Sequence, residues 1–182
     1  MGIGAGALIT VSTGGGGSST PNTMAFPWGG MVGAVAATAL SAANKIQISG
    51  FYLPNSVTVN NIVVSINTPD AANNYDWGVY DSTGALKVHV GAHVVPASGV
   101  VDLPVLASAT LAAGKYYFAY TGNATVALIT AAPNNVSTKE VTFLALVESA
   151  TASAGGALPA TITIPADTWA AASASVHGFV LH

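Results

Sequence analysis

The stretch Leu111–Gly122, LAAGKYYFAYTG, decides how the rest of the chain is read. Ala113-Gly114 marks a turn, and the residues after it alternate as a strand does. Tyr116, Phe118 and Tyr120 share one face, while Tyr117 lies on the other with Lys115 and Ala119. In a two-layer sandwich one face of each strand meets the opposite sheet. Tyr116, Phe118 and Tyr120 are expected to form that face, with their phenol hydroxyls reaching the rim. Tyr117 is then expected to point outward, as a subunit contact or a platform for a ligand.

Working outward, short alternating runs dominate from Lys45 onward. KIQISGFYL alternates around Ile46 and Ile48. SVTVNNIVVSIN carries Val57 and Val59 in one phase, then Ile62, Val64 and Ile66 in the other. The switch at Asn60-Asn61 predicts a bulge or tight turn there. NYDWGVYD alternates Tyr75, Trp77 and Val79; ALKVHVGAHVV alternates Leu86, Val88 and Val90. GVVDLPVL reads as a shorter strand, and TVALIT, KEVTFLALVES and ASVHGFVLH complete the set. Turn residues separate them at Pro54-Asn55, Pro69-Asp70, Asp81–Gly84, Thr121–Asn123 and Pro133–Asn135. Short strands punctuated this way predict an all-β fold, an antiparallel sandwich of the jelly-roll kind. No long segment shows helical periodicity.

The 182 residues suit one domain with an appended arm. The absence of cysteine removes disulfides, thiolate catalysis and cysteine-ligated zinc together. Only 6% of residues are charged, against about a quarter in typical domains. So neutral a surface opposes association weakly, and it predicts burial against neighbouring subunits. The four lysines lie far apart in sequence, arginine is absent and the net charge is −3, which argues against a nucleic-acid partner.

Residues 1–22 are Gly-, Ser- and Thr-rich and form the predicted arm; residues 23–182 form the sandwich domain. Within the arm, Ala7, Leu8, Ile9, Thr10 and Val11 make one apolar run, and Gly14–Gly17 make a flexible link. The run reads either as part of a loose tail or as an anchoring strand added to a neighbour's sheet. A signal peptide is not expected, since no basic residue precedes the run. Trp28–Asn44 is apolar but rich in Gly and Ala, and no membrane span is expected.

The sequence offers little catalytic chemistry. His89 and His93 are four residues apart, too far to share a metal along a regular strand. Asp70, Asn73, Asn74 and Asp76 supply oxygen donors for a conceivable calcium loop, but the spacing is not that of an EF-hand, and an Asx-rich turn accounts for it. No G-x-S-x-G motif and no signposted carboxylate pair is present, and GGGGSST lacks the lysine of a phosphate loop. Neither an enzyme, a metal nor a cofactor is expected. Read as a free lectin, the chain offers Trp77, Tyr117 and Trp169 for stacking on sugar, although Trp77 alternates with core residues.

Three stretches, NKIQISGFYLPNSVTVNNIVVSI, WGVYDSTGAL and LAAGKYYFAYTG, occur in that order. Together they resemble a β-sandwich module of tailed-bacteriophage virion proteins, of the tail-fibre, minor-tail and head-decoration types. The resemblance covers roughly residues 43–130 and the last strands. It implies a non-enzymatic virion structural protein assembled in the host cytoplasm, a homo-oligomer, often a trimer, in contact with other virion proteins. A tail-attached protein (tail fibre, tail tip or minor tail) with the sandwich facing outward for host attachment, in some members to a cell-surface glycan, is the leading expectation. A capsid decoration or head-fibre protein anchored by its arm is the alternative. The aromatic strand is scaffold in that family, so the subunit or ligand contacts expected here, Tyr117 and Trp169, come from the residues alone.

Overall fold

The computed structural model describes residues 24–26, 36–126, 128–133, 144–165, 175–177 and 179–182. The described residues form strands β1 (Met24–Phe26), β2 (Ala36–Thr38), β3 (Ile46–Leu53), β4 (Val57–Thr68), β5 (Asp70–Asp81), β6 (Leu86–His89), β7 (His93–Val95), β8 (Gly99–Leu111), β9 (Gly114–Gly122), β10 (Leu128–Pro133), β11 (Leu144–Glu148), β12 (Ser175–His177) and β13 (Phe179–Leu181). They build two antiparallel sheets. The first runs β1-β13-β4-β10-β12, with β8 along the free side of β4 and β2 on β10; the second runs β11-β3-β9-β5-β6, with β7 also on β5. The chain changes sheet at most of its turns, as a sandwich requires, and the all-β reading holds. Residues 1–22, Ala7–Val11 among them, lie outside the described residues, as do the 22/23 boundary and Trp169.

The alternation seen in sequence becomes the core. Tyr116, Phe118 and Tyr120 of β9 pack with Tyr75, Trp77 and Val79 of β5 and with Val57, Val59, Ile62, Val64 and Ile66 of β4. Across the sandwich Phe118 stacks on Phe179 with ring centroids 4.0 Å apart, and Phe51 meets Phe179 edge-on at 5.1 Å. Within the second sheet, Trp77 and Tyr75 stack on Tyr120 at 5.6 and 6.1 Å. Tyr120 does not reach the rim as expected: it is wholly buried, and burial first, then the neighbouring Tyr75 and Asp70, push its phenol far above the ordinary range.

The phase switch in β4 is a bulge. The amides of Asn60 and Asn61 both donate to the carbonyl of His182, each at 2.7 Å. On the other side, the β4–β8 register jumps between Val59 and Asn61. Buried positions change parity at that point, so both valines and all three later residues face the core.

Two strand readings need correction. β8 is not short: it runs to Leu111 through Pro104. Proline has no amide to donate, which an edge strand tolerates on its open side. The Leu86–Val90 alternation is also not continuous. A register shift opposite Val79 and Tyr80 sends Leu86 to the outer face, while Val88 and Val90 stay in the core. The chain then bends at Gly91, whose φ of +85° suits glycine, and resumes as β7.

Candidate functional surface

Tyr117 does lie opposite Tyr116, Phe118 and Tyr120, but it does not face outward. It is 4% exposed, in a second apolar cluster with Ile46, Ile48, Tyr80, Ala119, Leu158 and Ile162. The cover is the chain's own segment 149–164, laid over the outer face of the second sheet. Its backbone is tied down along its length: Ser149 N–H donates to Ile46 O at 2.9 Å, Ser153 N–H to Asn44 O at 2.8 Å, and Ile162 N–H to Gly84 O at 2.9 Å. The Tyr80 hydroxyl donates to Pro159 O at 2.7 Å, and Thr121 and Ser153 share a hydroxyl bond of 2.6 Å. The second wall behind the aromatic strand is therefore this strap, and the expected contact role of Tyr117 is withdrawn.

The strap is tied to a buried carboxylate that entered the sequence reading only as a conceivable calcium donor. Asp76 is fully buried on β5. Its Oδ1 accepts Gly91 N–H at 2.7 Å; its Oδ2 accepts Leu158 N–H at 2.8 Å and lies 2.8 Å from His89 Nδ1. One side chain thus joins β5, β6, the bend before β7 and the strap. Burial pushes the Asp76 carboxyl above its usual range, against the pull of His89 and the two amides. Burial also raises the Tyr80 phenol, and the charge of Asp76 adds to that rise.

The conceivable calcium donors do not converge. Asp70 accepts the Tyr75 hydroxyl at 2.7 Å and Asn73 Nδ2 at 2.8 Å, and these bonds, with that from the Ala72 amide, hold its carboxyl below the ordinary value. Asp76 is occupied on the opposite face. Among the described residues no three His, Cys, Asp or Glu side chains group to hold a metal ion. His89 and His93 sit on separate short strands either side of the Gly91 bend. Of the sugar-stacking candidates, Trp77 and Tyr117 are both buried.

Among the described residues, an edge of each sheet comes together on one side of the sandwich. β8 pairs only with β4, and β6 and β7 pair only with β5, among the described residues. Val100 and Leu106 of β8 are each 69% exposed, and Val94 of β7 is 37% exposed. Between β7 and β8 lies a groove of about 270 Å³ walled by His93, Val94, Pro96, Val101, Asp102 and Leu103. At its polar end Asp102 accepts from Asn61 Nδ2 at 2.7 Å and contacts His182 Nε2 at 3.2 Å. Pro104 and the register jump beside it interrupt β8, leaving Gly99–Leu103 as a short regular run along the groove. Such a surface can bind a peptide strand through backbone bonds and apolar side chains. Sequence reasoning missed it because an edge is a property of sheet order; the one local signal was Pro104 within an alternating run.

Comparison of the chain with protein-family models, with curated proteins and with solved structures gave no match. Among the described residues no helix is long and apolar enough to cross a membrane.

Proposed function

We propose that the chain is a non-enzymatic structural subunit of a tailed-bacteriophage virion, attached at the tail and acting through protein contacts, with its sandwich turned outward for host attachment. The observation that carries the reading is the combination of a charge-poor chain with an apolar sheet edge that, among the described residues, has no second partner strand. A surface of that kind is made to be covered. The likeness to phage sandwich modules adds support. Its three stretches supply β3, β9 and half of β5, which are neighbours at the centre of one sheet, and most of β4 in the facing sheet. They therefore form one packed unit. WGVYDSTGAL includes the turn at Gly84 on which the strap rests.

Immunogold electron microscopy of particles from the source, with antibody against residues 45–182, tests the reading. Gold at the tail is the expected result. Gold over the head would replace tail attachment by capsid decoration. Particles without gold, with the epitope shown accessible, would overturn the virion reading altogether.

A further inference from the structure

We infer that the groove between β7 and β8 receives residues Ala7–Val11 of a neighbouring copy as an added strand. The inference rests on the reading of the chain as an assembling subunit, and is independent of where in a particle that subunit sits.

Among the described residues, the groove offers an edge of five residues, Gly99–Leu103, paired on one side only and flanked by apolar walls from Val94, Pro96 and Val101. Twenty-three residues precede the first described strand, and they contain one run suited to that edge. Ala7–Val11 is also five residues long, uncharged, and includes Ile9, Thr10 and Val11, which favour strands. In an added strand Ala7, Ile9 and Val11 fall on one face. A space of about 270 Å³ accommodates apolar side chains of that size.

The direction of the chain favours a neighbour's arm over the chain's own. β4 residues Ile62–Val64 pair with β13 on one side and with β8 on the other. β1, where the arm departs, pairs with β13. The arm therefore leaves from the side of the sheet opposite the groove. To reach its own β8, a chain would lay Gly14–Gly17 and the polar residues after them across the outer face of the sheet, and these residues have little apolar surface to bury there. A neighbour's arm needs no such crossing. The thirteen steps from Val11 to Met24 span up to about 43 Å when extended, enough to leave one copy and enter the next. Departure on one side and reception on the other make a head-to-tail contact, which closes into a ring when the rotation permits.

The test uses the full-length protein. Sedimentation at micromolar concentration is expected to show a closed oligomer. Ile9→Lys and Val94→Lys are each expected to give monomers with unchanged circular dichroism. A monomeric parent, or an Ile9→Lys variant that stays oligomeric, overturns the inference. The chain has no cysteine, so whose arm fills the groove can be read directly. Thr10→Cys protein mixed with Val100→Cys protein is expected to form a mixed disulfide between chains. A chain carrying both changes that instead closes its disulfide within itself assigns the groove to its own arm and overturns the inference. Failure of these tests leaves the gold-labelling result untouched, so the two readings fall separately.

Discussion

Asp76 shows how much one residue can organise. Its three donors come from elements as distant in sequence as Leu158. Because burial outweighs those donors, the folded carboxyl holds its proton more tightly than the unfolded one, whose ordinary value is 3.8. Above that value and up to the raised folded one, the folded state binds more protons, so stability falls as pH rises. The contribution of Asp76 is thus fully present below about 3.8 and is lost as pH rises through the folded value. Asp76→Asn leaves the donors imperfectly matched and is expected to cost about 1–3 kcal/mol. Its deficit against the parent, from urea midpoints, should shrink between acidic and neutral pH; a deficit that grows would contradict the sign. Tyr117→Ala is expected to cost about 3–5 kcal/mol in the same assay, as deletion of a buried aromatic does. Loss of association without loss of stability would return Tyr117 to the surface. Nothing local to Tyr117 distinguishes a covered face from an open one, so its burial was not legible in the sequence. The cover lies some forty residues away, and its own signal was Leu158 just before Pro159, with Ile162 and Ile164 alternating between Pro159 and Pro165.

Among the elements, the strands regular in pattern were the legible ones, even where their partners lie far off in the chain. The core face of β9, the phase switch in β4 and the Tyr75–Val79 alternation all follow from a period of two acting on apolar side chains. The breaks were hidden wherever a tertiary contact sets them. The bulge beside Leu86 places that residue under the strap, and the Gly91 bend delivers an amide to Asp76. The strap itself depends on the turn at Gly84, which has a φ of +83° and whose added Cβ would run into the carbonyl of Ile162. Gly84→Ala is therefore expected to destabilise by about 1–3 kcal/mol through backbone strain and to loosen the strap. Limited proteolysis should then cut within residues 149–164 before any strand of the second sheet. Unchanged cleavage would mean that the strap does not rest on this turn.

At the scale of the whole molecule, the chain closes one outer face with its own strap and, among the described residues, leaves the β8 and β6–β7 edges without a second partner strand. The low charge content predicts a surface meant for contact, and the proposed contact side is the one where β8 lies beside β6 and β7. Among the described residues the buried core runs from Leu40 to Leu181, so removing residues 1–20 is expected to leave a folded sandwich with a cooperative thermal transition, while abolishing incorporation into particles. Incorporation of the truncated protein at the parental level would count against any anchoring or assembly role for that arm.

Amide hydrogen exchange of the full-length chain, compared between micromolar and highly dilute protein, is the most direct test of an open edge that a partner covers. The account predicts that peptides spanning Gly99–Leu103 are protected at the higher concentration and exchange quickly on dilution. Peptides from β3, β5, β9 and the strap should stay equally protected in both. Exchange in Gly99–Leu103 that ignores concentration, or a concentration effect confined to the strap, would contradict it.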